Sequence, residues 1–155
     1  MDISAKTDYA VRALLAMASA ERADGERALS VDVLAREQDL PRRFLESIVA
    51  DLRRGGLVTS RRGPSGGYTL ARPATEITLG DVFRTVDGPL AEVRGVRPHE
   101  TAYTGAAEHL PVVWVAVRAS LRRVLDETSL ADVLDGTLSD HVAELAAAPD
   151  AWRNR

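Results

Sequence analysis

Residues 61–70 read RRGPSGGYTL: two arginines lead into a glycine-rich turn, and a strand-like run follows. Glycine-rich loops beside cations serve two chemistries. One is phosphate cradling in an enzyme, where GxxxxGK[ST] follows a strand and opens a helix whose N-terminus meets the anion. The other is the tip of a β-hairpin laid on DNA, where glycines allow a tight turn and arginines reach phosphate or a narrow minor groove. No Gly-Lys-Ser/Thr occurs in the loop, and GYTLAR after it has strand character. A dinucleotide-binding loop fails for the same reason. Arg61, Arg62, Gly63 and Ser65 are therefore expected to form a DNA-contacting wing.

A second constellation lies upstream, in PRRFLESIVADLRRGG. Phe44, Leu45, Ile48, Val49 and Leu52 are expected to make one apolar helix face, leaving Arg42, Arg43, Glu46 and Ser47 on the other. Arginine reads guanine through two hydrogen bonds, and glutamate accepts one from cytosine. The bland alternative is a solvated arginine–glutamate pair. At the start of the chain, Ser4, Lys6 and Tyr9 suit phosphate positioning, although Ser4 is also a plausible helix cap and Tyr9 equally suits a core. Catalytic machinery is not legible. His99, His109 and His141 lack a metal-binding spacing, and His99-Glu100 with Glu108-His109 make only a weak candidate. There is no cysteine, which excludes a disulfide, a thiolate nucleophile or a cysteine-held cluster. No catalytic residue, metal or cofactor is expected.

These side chains need elements to hold them. Ser4 caps a helix over SAKTDYAVRALLAMASA, with Tyr9, Val11, Leu14, Leu15 and Ala18 in a stripe. Residues 21–29 are polar, contain Gly25 and read as a loop. Ser30 caps a short helix, VDVLAREQDL, and Pro41 sits in the first turn of the next, which Gly55-Gly56 stop. Two short helices joined by a tight break form a helix-turn-helix. LVTSRR and GYTLAR flank the loop as strands, which makes the motif winged. ITLGDVFRTVDG supplies another helix capped by Thr78.

Residues 91–109 show no period and read as a long exposed connection. LPVVWVAVRASLRRVLDETSLADVL then forms the longest helical candidate. Within it Leu110, Trp114, Val117, Leu121 and Val124 are spaced four, three, four, three, a dimerisation seam, and Val113, Ala116 and Ser120 lie on an adjoining face. Trp114 suits core or seam better than a ligand platform. The tail, APDAWRNR, is expected to fray.

With 155 residues the chain can bury a core of its own, and 45% hydrophobic with 28% charged residues is ordinary for a globular protein. No apolar run approaches the roughly 20 residues that span a bilayer, and Asp2, Lys6 and Asp8 interrupt any signal-peptide pattern. A cytoplasmic location is the expectation. The net charge of −3 argues against nucleic acid until its distribution is considered. Residues 36–72 hold eight arginines against four carboxylates, a segment of +4 that leaves −7 elsewhere. A basic face on an acidic protein suits phosphate binding.

The motifs TDYAVRALLAMA, PRRFLESIVADLRRGGLV, RRGPSGGYTLARPATEITLGDV and LADVL together resemble one bacterial family. It is the family of winged helix-turn-helix regulators that includes the iron–sulfur cluster assembly regulator, the nitric-oxide-sensitive repressor and the cysteine-metabolism repressor. The resemblance spans most of residues 3–135. It implies a homodimer, and in many members a cluster on three cysteines just before the dimerisation helix. This chain has none there, and Asp8, which matches a cluster-ligating aspartate, has no thiolate partners. By the same resemblance Glu46 lies where some members read a base.

The expected fold is mainly α with a small β-hairpin wing: a winged helix-turn-helix plus a long C-terminal dimerisation helix. Residues 1–89 form the DNA-binding domain, 90–109 a connecting or sensor loop, and 110–148 the dimerisation helix and C-terminal segment. The expected function is a homodimeric regulator, a repressor by expectation, on double-stranded DNA bearing an inverted-repeat operator, without membrane contact. Control by a small-molecule effector, control by a partner protein and constitutive repression are open alternatives. The alternative is a protein-interaction module on the same scaffold.

Overall fold

The computed structural model describes residues 2–25 and 27–153. Helix α1 spans Ala5–Asp24, and the Ser4 hydroxyl accepts the Thr7 N–H at its start. It runs further than expected, through the first residues of the anticipated loop. Glu21 explains the extension: its carboxylate accepts the Leu70 N–H at 2.8 Å, so the last turn is held from outside the helix. Gly25, at φ 56°, ends it.

Helix α2 (Val31–Gln38) is capped by Ser30 and closed by Asp39 in a left-handed conformation. Helix α3 (Arg42–Arg54) follows after three residues, and Pro41 is its N-cap rather than part of its first turn. Strands β1 (Val58–Arg61) and β2 (Gly67–Leu70) pair antiparallel, with Val58 opposite Leu70 and Arg61 opposite Gly67, so residues 62–66 form the wing tip. The hairpin is anchored along β2, near the tip. Leu29 exchanges both backbone hydrogen bonds with Tyr68, at 3.0 and 2.8 Å. That approach requires glycine at 67, where φ is +152° and an added Cβ would stand 2.5 Å from the Leu29 backbone.

Helix α4 (Leu79–Val86) starts with a reciprocal capping box between Thr78 and Asp81. The stretch 90–109 contains no α-helix but is not loose. Leu90 and Pro98 are buried, Val93 pairs with Val96, and short 3-10 turns occupy Pro98–Glu100 and Gly105–Ala107. Helix α5 (Leu110–Leu125) is shorter than expected. The predicted single helix breaks, and α6 (Leu130–Asp135) begins a new direction. The reason is local chemistry. The Thr128 hydroxyl donates back to the Val124 carbonyl at 2.7 Å, while Ser129 and Asp132 form a second capping box. A further helix, α7 (Asp140–Ala147), was not anticipated. In the tail, the Trp152 indole N–H donates to the Ala146 carbonyl; residues 154 and 155 lie outside the described residues.

Helix α1 is the hub, packing on α2, α3, α4, α6 and β2. Its buried face is Thr7, Ala10, Ala13, Leu14, Met17 and Ala18, whereas Tyr9, Val11 and Leu15 are only partly covered. Small residues face in because several elements crowd one helix. Leu34, Leu45, Ile48, Leu52, Leu57, Ile77 and Val82 complete the core, joined by Leu130 from α6. Leu130 arrives through a backbone clasp: Leu130 N–H donates to Ile77 and Leu79 N–H to Thr128, both at 2.9 Å.

Candidate nucleic-acid interface

Helix α3 divides its two faces cleanly. Leu45, Ile48, Val49 and Leu52 are buried, while Arg42, Arg43, Glu46 and Ser47 are exposed. Phe44, expected in the core, is instead 59% exposed. At 3.6 residues per turn it sits about a quarter turn off the centre of the buried stripe, which the other four residues already fill. Its ring meets Tyr9 of α1 edge-on, with centroids 6.5 Å apart, and the Arg12 guanidinium lies 6.0 Å from the Tyr9 ring. Tyr9 thus sits half-buried between core and surface, joined by Phe44 and Arg12, which sequence reasoning did not select. Phe44's position beside a complete i, i+3, i+4, i+7 set was the available signal.

The polar candidates differ in how far they are committed within the chain. Arg42 pairs with Asp32 at 2.5 Å and with Glu46 at 3.1 Å. All three side chains are exposed, so these pairs are worth at most about 1 kcal/mol and yield readily to a ligand. Arg43 and Arg62 have no ion-pair partner among the described residues. Ser47 and Ser65 are exposed, and Gly63 turns the wing tip at φ 108°. Ser4 caps α1 and also donates to the Asp87 carboxylate, 2.8 Å away, which Thr7 joins at 2.6 Å. Asp87 thereby ties the end of α4 to the start of α1.

Lys6 pairs with Asp51 of α3 at 2.6 Å, and Arg54 reaches the same carboxylate. The hydrogen bond from Lys6, helped by Arg54 and opposed by burial, holds the Asp51 carboxyl below its ordinary value. Hydrogen bonds from the Ser129 hydroxyl and N–H do the same for Asp132. A carboxyl lowered on folding stabilises the native state above its unfolded value of about 3.8, and that stabilisation disappears as pH falls through the lower native value. Urea titrations between about pH 5 and 2 should therefore show a shallower loss of stability for Asp51→Asn than for wild type. Equal slopes would mean that Asp51 is not a linked group.

The seam residues serve partly within the chain. Leu110, Trp114, Leu121 and Val124 are half-buried, and Trp114, Val117 and Leu121 line a cavity with Val93 and Pro98 of their own connection. Much of α5 is bare: Val112, Val113 of the adjoining face, Val115 and the seam residue Val117 are 41–71% exposed. None of the residues of α5 is fully buried in the single chain. No group of three or more His, Cys, Asp or Glu able to hold a metal is found among the described residues, and no helix among them is long and apolar enough to cross a membrane.

The family model Rrf2, described as an iron-dependent transcriptional regulator, matches residues 3–136. The donor set does not fit the iron in that description, because thiolates are absent and no three-ligand group exists among the described residues. Rv1287 of Mycobacterium tuberculosis, grouped with HTH-type transcriptional regulators, is 50% identical over 146 residues, covering 94% of this chain and 89% of that protein. The structure of CymR, the global cysteine regulator of B. subtilis, superposes with a TM-score of 0.73 at 31% identity, covering 88% of this chain and 98% of the other. IscR of T. potens follows at 0.68 and 31%, covering 90% and 93%. A winged helix, an exposed polar face on α3 and this similarity along nearly the whole chain agree: the chain is a DNA-binding transcriptional regulator of the Rrf2 family.

Proposed function

We propose that the protein is a homodimeric repressor of the cytoplasm that binds an inverted-repeat operator without an iron–sulfur cluster. The observation that carries this reading is the exposed face of α3, which sets Arg42, Arg43, Glu46 and Ser47 outward beside a wing bearing Arg61 and Arg62. In a dimer each α3 enters a major groove and each wing meets the flanking backbone or minor groove. Ser4, Lys6 and Tyr9 position the phosphates between them. Two-fold symmetry then demands two inverted half-sites. Residues 1–89 act as the DNA-binding domain, 90–109 as the connection that receives a signal, and 110–148 as the dimerisation segment. Leu110, Trp114, Val117, Leu121 and Val124 contribute to that segment, with the bare valines of α5 forming the surface a second copy covers.

Salt titration tests the assignment. Arg62→Ala should weaken binding to operator and scrambled duplexes alike and lower the magnitude of the salt slope by about 1. Glu46→Ala should relax preference at one or two operator positions by about 1–3 kcal/mol each, leaving non-specific binding equal or stronger. An unchanged slope and affinity on both duplexes for a folded Arg62→Ala variant would mean that Arg62 makes no DNA contact.

A further inference from the structure

Four arginines converge away from the α3 face. Arg84 of α4, Arg97 of the connection, and Arg118 and Arg122 of α5 line one cavity of about 300 Å³, whose remaining walls are Pro89 and Leu90. No carboxylate lines it. Asp126 stands beside it and accepts from Arg84 and from Arg122 Nε, the latter at 3.3 Å; Asp81 is 3.7 Å from Arg84. Among the described residues Arg118 meets the His99 ring nitrogen, at 3.4 Å, and Glu100 turns its carboxylate to the backbone N–H of Arg97. Neither Arg97 nor Arg118 has an ion-pair partner among the described residues.

Outside residues 36–72 the chain carries −7, so four guanidiniums gathered around one space run against its overall charge. Their mutual repulsion is relieved only in part by Asp126. Guanidinium forks bind carboxylates and phosphates through paired hydrogen bonds. The volume lies at the low end for small-ligand sites, and buried Leu90 with Pro89 offers an apolar wall to a short carbon skeleton. The geometry points to a binding site for a small metabolite carrying two or more oxyanion groups, either a polycarboxylate or a phosphate ester.

The site is connected to the DNA-facing elements by α4. A Cβ at Gly80 would stand 1.9 Å from Asp126 Oδ1, so the carboxylate that competes for Arg84 and Arg122 rests directly on the first turn of α4. The other end of α4 is Asp87, bound to Ser4 and Thr7 at the start of α1. An anion that takes Arg84 and Arg122 from Asp126 alters the hold of α5 on α4, and through Asp87 the placement of Lys6 and Tyr9. This coupling rests on the DNA-binding reading above; the anion site itself does not.

The test uses the full chain without DNA, titrated calorimetrically with citrate and, separately, with fructose 1,6-bisphosphate, against sodium chloride of matched ionic strength. Saturable binding of at least one probe is expected. Arg97→Gln/Arg118→Gln should weaken it at least about tenfold while melting like wild type, because neither side chain holds a carboxylate. Asp126→Asn should tighten it, an effect that a purely structural role for Asp126 does not produce. Binding of citrate alone makes the ligand a polycarboxylate, and of the bisphosphate alone a phosphate ester. No binding above the salt control, or equal binding by the double variant, overturns the site. Operator affinity should change about 5-fold or more with the bound probe. Binding with unchanged operator affinity keeps the site and rejects its coupling through α4.

Discussion

Val113→Asp is expected to turn the protein into a folded monomer. Val113 is 52% exposed in the single chain, so aspartate there costs the protomer little. In a two-fold interface the substitution occurs twice. Each uncompensated carboxylate in an apolar contact costs about 3–5 kcal/mol, and two together raise the dissociation constant by more than about 10⁴-fold. Sedimentation at micromolar concentration should show a dimer for wild type and a monomer with the same helical circular dichroism for the variant. Leu121→Asp should also dissociate the dimer. Leu121, however, is half-buried and lines a cavity together with the chain's own connection, so the melting temperature of that variant should fall as well. A Val113→Asp protein that still sediments as a dimer would place the interface on another face.

The second large effect belongs to Gly67. An alanine there must adopt φ near +152° and place its Cβ 2.5 Å from the backbone of Leu29. Backbone strain of ~1–3 kcal/mol and overpacking of ~1–3 kcal/mol together predict a loss of about 2–6 kcal/mol. For a chain of this size that lowers the melting temperature by roughly 4–24 °C. Gly63→Ala is the control, since φ there is also positive but an added Cβ meets nothing within 4 Å. It should lose less, from strain alone. If Gly67→Ala melts within about 2 °C of wild type, the pairing of Leu29 with Tyr68 is not what secures the wing.

Where the sequence was legible, short-range chemistry decided the structure. Ser4, Ser30 and Thr78 each cap the helix expected of them, and the loop between Arg61 and Gly67 is the hairpin tip. The break before Ser129 was present in the same language: Ser129-Leu-Ala-Asp132 is a capping box, overridden by an apolar period that ran on through LADVL. Other features depended on distant partners. The last turn of α1 needs the Leu70 N–H to donate to Glu21, and the α4 cap residue Asp87 draws on Ser4 and Thr7, some eighty positions away in sequence. Phe44 was misjudged because helical period gives an approximate direction, while the room left by Leu45, Ile48, Val49 and Leu52 decides which side chains enter the core. The four-arginine cavity was illegible for a similar reason, its members being supplied by α4, the connection and α5.

The clasp between residues 77–79 and 128–130 carries an evolutionary consequence. It returns the chain to the body of the winged domain after the excursion through the connection and α5, with Leu130 plugged into the core. The stretch between Asp87, held by Ser4 and Thr7, and Asp126, held by Arg84, is therefore a handle pinned at both ends. Doubling the length of such a handle adds only about 0.6 kcal/mol of closure entropy. Its contents can be rewritten or lengthened while the winged helix beneath keeps its shape. One scaffold can in this way tolerate the exchange of a cassette.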